Sequence, residues 1–95
     1  MNANYRKGRD REYRTIALLE AAGYTAARTA GSHGKVDVFA FDANGFRLIQ
    51  VKSGDANVTP KEREALKSVH RPANATVEVW RWRDRVREPL IERIA

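Results

Sequence analysis

The chain has 95 residues, no cysteine, and a formal net charge of +6 at pH 7. This length allows one domain with a single modest core, and an apolar fraction of 42% is ordinary for a globular protein, which excludes a disordered tail. The lack of cysteine excludes a disulfide framework, and no apolar run is long enough to span a membrane. The basic excess predicts a polyanionic partner, most simply nucleic acid, with an anionic membrane surface as the lesser alternative.

The first predicted helix covers residues 9–22, which are rich in good helix formers. Gly23 stands where a glycine ends many helices. Glu12, Ile16 and Leu19 share one stripe of this helix. The two apolar side chains must face the core, so we expect Glu12 to point toward the sheet as well.

Basic residues precede this helix and cover its other side. Residues 1–8 are predicted to be a mobile basic leader, because no apolar pattern begins until after them. The candidates for contact with DNA phosphates in this region are Arg6, Lys7, Arg9, Arg11 and Arg14. His33 and Lys35, in the loop that follows the next strand, are further candidates. The simpler alternative is a solvated basic surface.

A strand over residues 24–29 and a small, flexible loop over residues 30–34 lead to the central feature of the chain. Residues 36–53 are predicted to form a hairpin with a tight turn at Asn44 and Gly45. This dipeptide accepts the positive φ angles of a type I′ turn.

The predicted turn decides which polar side chains meet. With Asn44 and Gly45 in the turn, Asp37 faces Lys52 across the hairpin, and alternation places Gln50 on the same face. A slip of one residue would separate these groups. Any chemistry assigned to them therefore depends on this register.

The second half of the chain predicts one more helix and two more strands. The helix covers residues 59–70 and starts with a capping box formed by Thr59 and Glu62. A strand follows over residues 76–83. A last strand lies near residues 88–94, where a proline confines it to the sheet edge. The fold class predicted by this order is α/β, with a mixed central β-sheet flanked by helices.

Oxygen ligands converge in this arrangement. Mg²⁺ prefers hard oxygen ligands and keeps several waters, so one or two carboxylates plus a substrate phosphate suffice. We predict a Mg²⁺ site, with Mn²⁺ as a substitute, in which Asp37 is the main ligand and Glu12 the second. The Gln50 amide oxygen or the Val51 carbonyl would fill another position. Lys52 would orient the attacking water or stabilise charge on the phosphate.

Each of these residues also has a simpler structural interpretation. Asp37 and Lys52 could form an ordinary ion pair across the hairpin, and Glu12 could pair with a neighbour on the helix surface. Gln50 could be a hydrogen-bonded buried amide. Trp80 and Trp82 lie on one face of a strand, which favours core or dimer packing over base stacking.

The order of these motifs resembles that of a nuclease family. The matching residues are Glu12, Gly31-Ser32, Val36-Asp37 and Gln50-Val51-Lys52-Ser53, and the similarity runs from about residue 6 to residue 53. They are similar to the PD-(D/E)XK nucleases and, within them, to small archaeal-type Holliday junction resolvases, which also occur in phages. One acid of the family motif is replaced by Gln50, whose amide oxygen carries no charge, and the proline usual before Asp37 is replaced by Val36.

The resemblance implies a restriction-endonuclease-like core and a homodimer in which each subunit cuts one strand of a four-way DNA junction with Mg²⁺. It also implies that Ser32 approaches the scissile phosphate, and that the protein is cytoplasmic in a prokaryote or encoded by a phage. Three alternatives stay open. These are a non-cutting nucleic-acid binding module of the same fold, a related nuclease acting on flaps or other DNA structures, and a helix-mediated protein-interaction domain.

Overall fold

The computed structural model describes residues 3–29, 35–54 and 56–95, with the backbone alone for residues 3–7. The elements in chain order are α1 (Ala3–Ala21), β1 (Thr25–Arg28), β2 (Val38–Asp42), β3 (Gly45–Ser53), α2 (Pro60–Lys67), β4 (Ala75–Trp82) and β5 (Leu90–Arg93). This confirms the predicted α/β class. Neither helix of the described part combines the length and the apolar character that a membrane span requires.

The five strands form one mixed sheet in the order β1-β2-β3-β4-β5. All neighbouring strands are antiparallel except β3 and β4, which are parallel. Parallel neighbours need a long crossover connection, and α2 lies within it. The last strand lies at the edge, as its proline predicted.

The two helices pack on opposite faces of the sheet. The core cluster on the α1 face contains Leu19, Val38, Ala40, Ile49, Trp80 and Trp82. The cluster on the α2 face contains Leu66, Val77 and Val79. Both tryptophans are therefore core residues, and the Trp82 Nε1–H donates to the Thr15 hydroxyl at 2.8 Å.

The helix boundaries differ from the predicted ones. Helix α1 begins at Ala3, so residues 3–8 form its first turns instead of a leader before it. The capping box of α2 is confirmed, because the Thr59 hydroxyl accepts from the Glu62 N–H and the Glu62 carboxylate accepts from the Thr59 N–H, both at 3.1 Å. This helix ends at Lys67, earlier than predicted.

The central hairpin turns at Ala43 and Asn44, one position before the predicted turn. The Asp42 carboxylate accepts from the N–H groups of Asn44 and Gly45 at 2.8 Å and 3.2 Å, and this local bonding stabilises the turn. Gly45 is required for a different reason than the predicted one. A Cβ there would lie 2.3 Å from the Asn74 carbonyl oxygen, which is sterically impossible.

The predicted pairing of Asp37 with Lys52 is wrong. Val38 aligns with Ile49, so Asp37 lies beside Gln50. When a two-residue turn moves one position toward the N-terminus, each residue of the first strand faces a residue two positions earlier in the second strand than predicted. Side-chain alternation is then preserved, and Asp37 stays on the same face as Gln50 and Lys52.

An ion pair between a partly exposed arginine and a buried glutamate, which the sequence analysis missed, connects β3 and β4. Arg47 donates to Glu78 in a bidentate contact, with its Nη2 at 2.7 Å from Oε1. Thr76 Oγ1 and Trp80 Nε1 donate to the same carboxylate at 2.6 Å and 2.9 Å. Burial alone would raise the pKa of Glu78, but these hydrogen bonds outweigh it and lower the pKa. Glu78 is therefore an anion held in the core.

Candidate active site

Asp37 occupies the position just before β2, where the hairpin opens. Its Oδ2 accepts from the Val51 N–H, and its own N–H donates to the Ile49 carbonyl, both at 2.8 Å. The pKa of Asp37 is raised to about 6, mainly because burial disfavours the charged carboxylate. The negative charge of Glu12 raises it further, whereas the Val51 hydrogen bond and the positive charge of Lys52 oppose the shift.

Glu12 reaches this region from the α1 side of the sheet, as the helical stripe predicted. Its Oε1 accepts from the Arg28 Nε–H at 2.8 Å, and both side chains are largely buried. The hydrogen bond to Glu12 raises the pKa of Arg28. Sequence analysis missed Arg28, since nothing in a short strand identifies the partner of one of its arginines. The Glu12 carboxylate is thus near Asp37 but matched by a cation.

Gln50 carries an acceptor that has no partner. The residue is 9% exposed, and within residues 3–29, 35–54 and 56–95 no donor bonds to its buried Oε1. A buried polar atom left unpaired costs about 1–3 kcal/mol. A cation or a donor at this oxygen would remove that cost.

Lys52 lies two residues further along β3 and points to the same face. Its Nζ donates to Glu62 Oε2 at 2.6 Å. The other oxygen of Glu62 belongs to the capping box of α2. This contact with Lys52 is the main cause of the lowered pKa of Glu62, which falls to about 2. The sequence indicated the capping role of Glu62, but only the fold brings it to the lysine.

The donor set at this point suits Mg²⁺. Asp37 lies beside Gln50 across the hairpin, and Glu12 is near enough for its charge to raise the pKa of Asp37. All three side chains carry hard oxygen ligands. Among the described residues no group of three acidic, histidine or cysteine side chains forms a ready metal cage. A metal held here would therefore keep water or phosphate oxygens in its coordination sphere.

The residues that we predicted to contact DNA phosphates differ from one another in exposure and in their partners. The Arg11 Nη2 lies 3.4 Å from the Asp84 Oδ1, and the Arg11 side chain is only 14% exposed. The Arg14 guanidinium stacks over the Trp82 ring at 4.7 Å, and Lys35 is exposed. Four predicted residues have side chains outside the described residues: Arg6, Lys7, Ser32 and His33. The DNA-binding roles of the arginines, Lys7, His33 and Lys35 stay predictions, and so does the approach of Ser32 to the scissile phosphate.

The raised pKa of Asp37 predicts an unusual pH dependence of stability in metal-free protein. The folded pKa of about 6 exceeds the model-compound value of 3.8, so the unfolded state loses its proton first as pH rises. The contribution of Asp37 to stability therefore falls between about pH 4 and pH 6 and stays low above that. We expect Asp37→Asn to raise the free energy of unfolding at pH 8 by about 1–2 kcal/mol, after allowance for partial exposure.

Urea unfolding of both proteins at pH 4 and pH 8 without divalent metal measures this effect. The difference between variant and wild type should be larger at pH 8 and should shrink when Mg²⁺ is added to both. An equal difference at the two pH values would contradict the assignment of Asp37 as a partly buried carboxylate with a raised pKa.

Comparison with known proteins identifies the family of this chain and a similar fold. Residues 3–75 match the family described as archaeal Holliday junction resolvase (Hjc). The fold is similar to the 1.6 Å structure of Archaeoglobus fulgidus Hjc, a Holliday junction resolvase from an archaeal hyperthermophile. The TM-score is 0.77 at 24% sequence identity, covering 93% of this chain and 73% of that one. The chain with the Asp37, Gln50 and Lys52 site belongs to the archaeal Holliday junction resolvase family of nucleases.

Proposed function

We propose that this protein is a Mg²⁺-dependent endonuclease that hydrolyses phosphodiester bonds in branched DNA, resolving four-way junctions as a homodimer. One observation carries the proposal. A partly buried carboxylate with a raised pKa lies beside an unpaired buried oxygen, on the same sheet face as a lysine. Family membership supports the choice of branched DNA as the substrate.

The residues divide the work of metal binding and charge stabilisation. Asp37 and Glu12 would hold the ion, with the Gln50 Oε1 and the Val51 carbonyl as neutral ligands. When bound, Mg²⁺ polarises the phosphate and lowers the pKa of a coordinated water. The Val51 N–H fixes one oxygen of Asp37 and leaves the other for the ion.

Lys52 would stabilise the charge that builds on the phosphate. Glu62 holds the Lys52 ammonium in place, because one of its oxygens is fixed by the helix cap while the other contacts the lysine. Glu62 also places a negative charge at Lys52, two residues after Gln50, the position at which the family motif has an acid. If a phosphate oxygen replaced the Glu62 carboxylate as the acceptor for the Lys52 ammonium, Lys52 would contact the substrate.

The homodimer follows from symmetry. A four-way junction is resolved by two symmetric cuts, and a chain of this size contains one candidate site among its described residues. Two copies related by a two-fold axis supply two such sites.

One feature favours a second function, that of a junction-binding module without cleavage. Gln50 removes one negative charge from the family motif, which weakens the attraction for a divalent ion. In that case Lys52 would stay paired with Glu62 when DNA binds.

A cleavage assay separates the two functions. A synthetic four-way junction, a flap and a linear duplex of the same sequence are incubated with the protein in Mg²⁺, in Mn²⁺ and in EDTA. We expect paired, symmetric nicks in the junction with either metal, and none in EDTA or in the linear duplex. Binding without nicks under both metals would establish the binding module, and preferential cutting of the flap would change the substrate class.

The amide at position 50 provides a direct prediction. Gln50→Glu restores a carboxylate beside Asp37, so we expect the Mg²⁺ concentration that half-saturates cleavage to fall about tenfold. Gln50→Met, which keeps the side-chain size but has no oxygen ligand, should raise that concentration. Mg²⁺ titrations of cleavage rates measure both effects. Identical midpoints in all three proteins would exclude residue 50 from the metal site.

A further inference from the structure

A row of cations lies at the carboxyl ends of the two parallel strands, beside the candidate active site. Lys52 on β3 aligns with Arg81 on β4. Aligned residues on neighbouring strands share a face, and like charges placed opposite each other destabilise a sheet. Arg83 follows just after the end of β4, so a third cation lies close by.

Lys52 and Arg81 differ in whether a carboxylate neutralises their charge. Lys52 is neutralised by Glu62. Arg81 is not, since its Nη1 donates at 2.6 Å to the neutral Oδ1 of Asn57. The Glu92 carboxylate feels the charge of Arg81, but it bonds to the Arg63 guanidinium. Arg81 therefore lies beside Lys52, and no carboxylate in the described part of the chain bonds to the Arg81 guanidinium.

Arg81 also has a donor without an acceptor. Its Nε–H is buried and makes no hydrogen bond in the described structure. The side chain faces a cavity of about 190 Å³ whose described lining is Gly54, Ala56, Asn57, Arg81 and Arg83. Among these described lining residues there are two guanidinium groups and an amide, and none of the five is acidic. A buried donor at a cationic cavity is satisfied by an anion that brings oxygen acceptors.

We propose that this cavity is a phosphate subsite for the DNA backbone, which binds a phosphate next to the one that is cut. The position supports this assignment. Ligands of open α/β sheets bind at the carboxyl ends of parallel strands, and adjacent strands lie about 4.8 Å apart. A phosphate on Arg81 and Arg83 therefore lies one strand spacing away from the group contacted by Lys52.

The subsite explains the structural role of Asn57 as well. Asn57 lies in the connection between β3 and α2, and its amide holds the Arg81 guanidinium in one orientation. It is a positioning residue, whereas Arg81 and Arg83 contact the phosphate. The inference rests on the proposed action on DNA and adds the residues that place the strand in the site.

Neutral phosphate substitution in the DNA tests this subsite. Four-way junctions carrying a single methylphosphonate at successive positions around the cut are bound to the wild type and to Arg81→Gln, Arg83→Ala, Asn57→Ala and Arg87→Ala in EDTA. Arg87 is exposed in the connection between β4 and β5 and provides the matched loss of one arginine. Thermal unfolding of each variant checks that the fold is intact.

We expect Arg81→Gln to weaken junction binding about tenfold and to reduce the salt dependence by about one phosphate contact. A methylphosphonate beside the cut should weaken wild-type binding by a similar factor and should have no effect on Arg81→Gln. Asn57→Ala should show a smaller loss at the same position. Arg87→Ala should keep the full wild-type sensitivity there.

The subsite is wrong if flanking methylphosphonates weaken Arg81→Gln and the wild type equally, or weaken neither. This outcome can be told apart from failure of the proposed function. If the wild type neither prefers nor cuts junctions, the same substitutions are made in a linear duplex. Loss of a single-position sensitivity in Arg81→Gln would then still establish the subsite, and its persistence would overturn it.

Discussion

Asp37→Asn and Lys52→Ala are each expected to lower the single-turnover rate of junction cleavage by about 1000-fold or more while leaving junction affinity nearly unchanged. Asparagine keeps an acceptor for the Val51 N–H but removes the charge that would bind the proposed metal ion. Alanine at position 52 removes the cation that would stabilise the phosphate. Both changes leave in place the arginines that we expect to supply most of the binding energy to DNA.

Rate and affinity must be measured separately, with cleavage under excess enzyme and binding in EDTA. Glu64→Gln is the matched control, since Glu64 is an exposed acid on α2 that pairs only loosely with Lys67, at 3.6 Å. It should cleave at the wild-type rate. If Asp37→Asn or Lys52→Ala also cleaves at that rate, the roles assigned to these residues are wrong.

Glu78→Ala is expected to lower the free energy of unfolding by about 3–5 kcal/mol, a large share of the stability of a domain this small. Glu78 is 5% exposed and accepts hydrogen bonds from three side chains. Removing the carboxylate leaves the partly buried Arg47 guanidinium without its counterion. The loss then exceeds the net contribution of the pair itself.

The double variant Arg47→Met/Glu78→Leu provides the control for this explanation. It removes both charges and fills the space with apolar groups, so it should recover at least half of the stability lost in the single variant. Urea unfolding at pH 7 measures all three proteins. A double variant as unstable as Glu78→Ala would show that packing, and not the unpaired arginine, causes the loss.

Local signals predicted the elements of this fold well. The capping box at Thr59 and Glu62 depends on residues three apart, and the core side of α2 and β4 depends on simple periodicities. The hairpin was predicted correctly in its existence and in the shared face of Asp37 and Gln50. Its turn position was wrong because Gly45 serves a close approach of Asn74, which is distant in sequence.

The partners of the charged side chains could not be predicted in the same way. Lys52 bonds to Glu62, ten residues away, and Glu12 bonds to Arg28, sixteen residues away. Arg47 and Glu78 meet across two strands that are joined by a long crossover. No spacing rule in the sequence predicts such pairs. A long charged side chain can pair with any opposite charge that the fold places within its reach.

The sequence by itself determined the order of helices and strands, the face on which Asp37, Gln50 and Lys52 lie, and the oxygen ligands available for a metal. These depend on periodicity and chemistry that each segment carries alone. Only the tertiary structure decided that Asp37 is buried enough to hold a raised pKa, that the Gln50 oxygen is unpaired, and that Arg81 stands beside Lys52. Burial and cross-strand alignment arise from the packing of segments distant in sequence, so they cannot be obtained from a short motif alone.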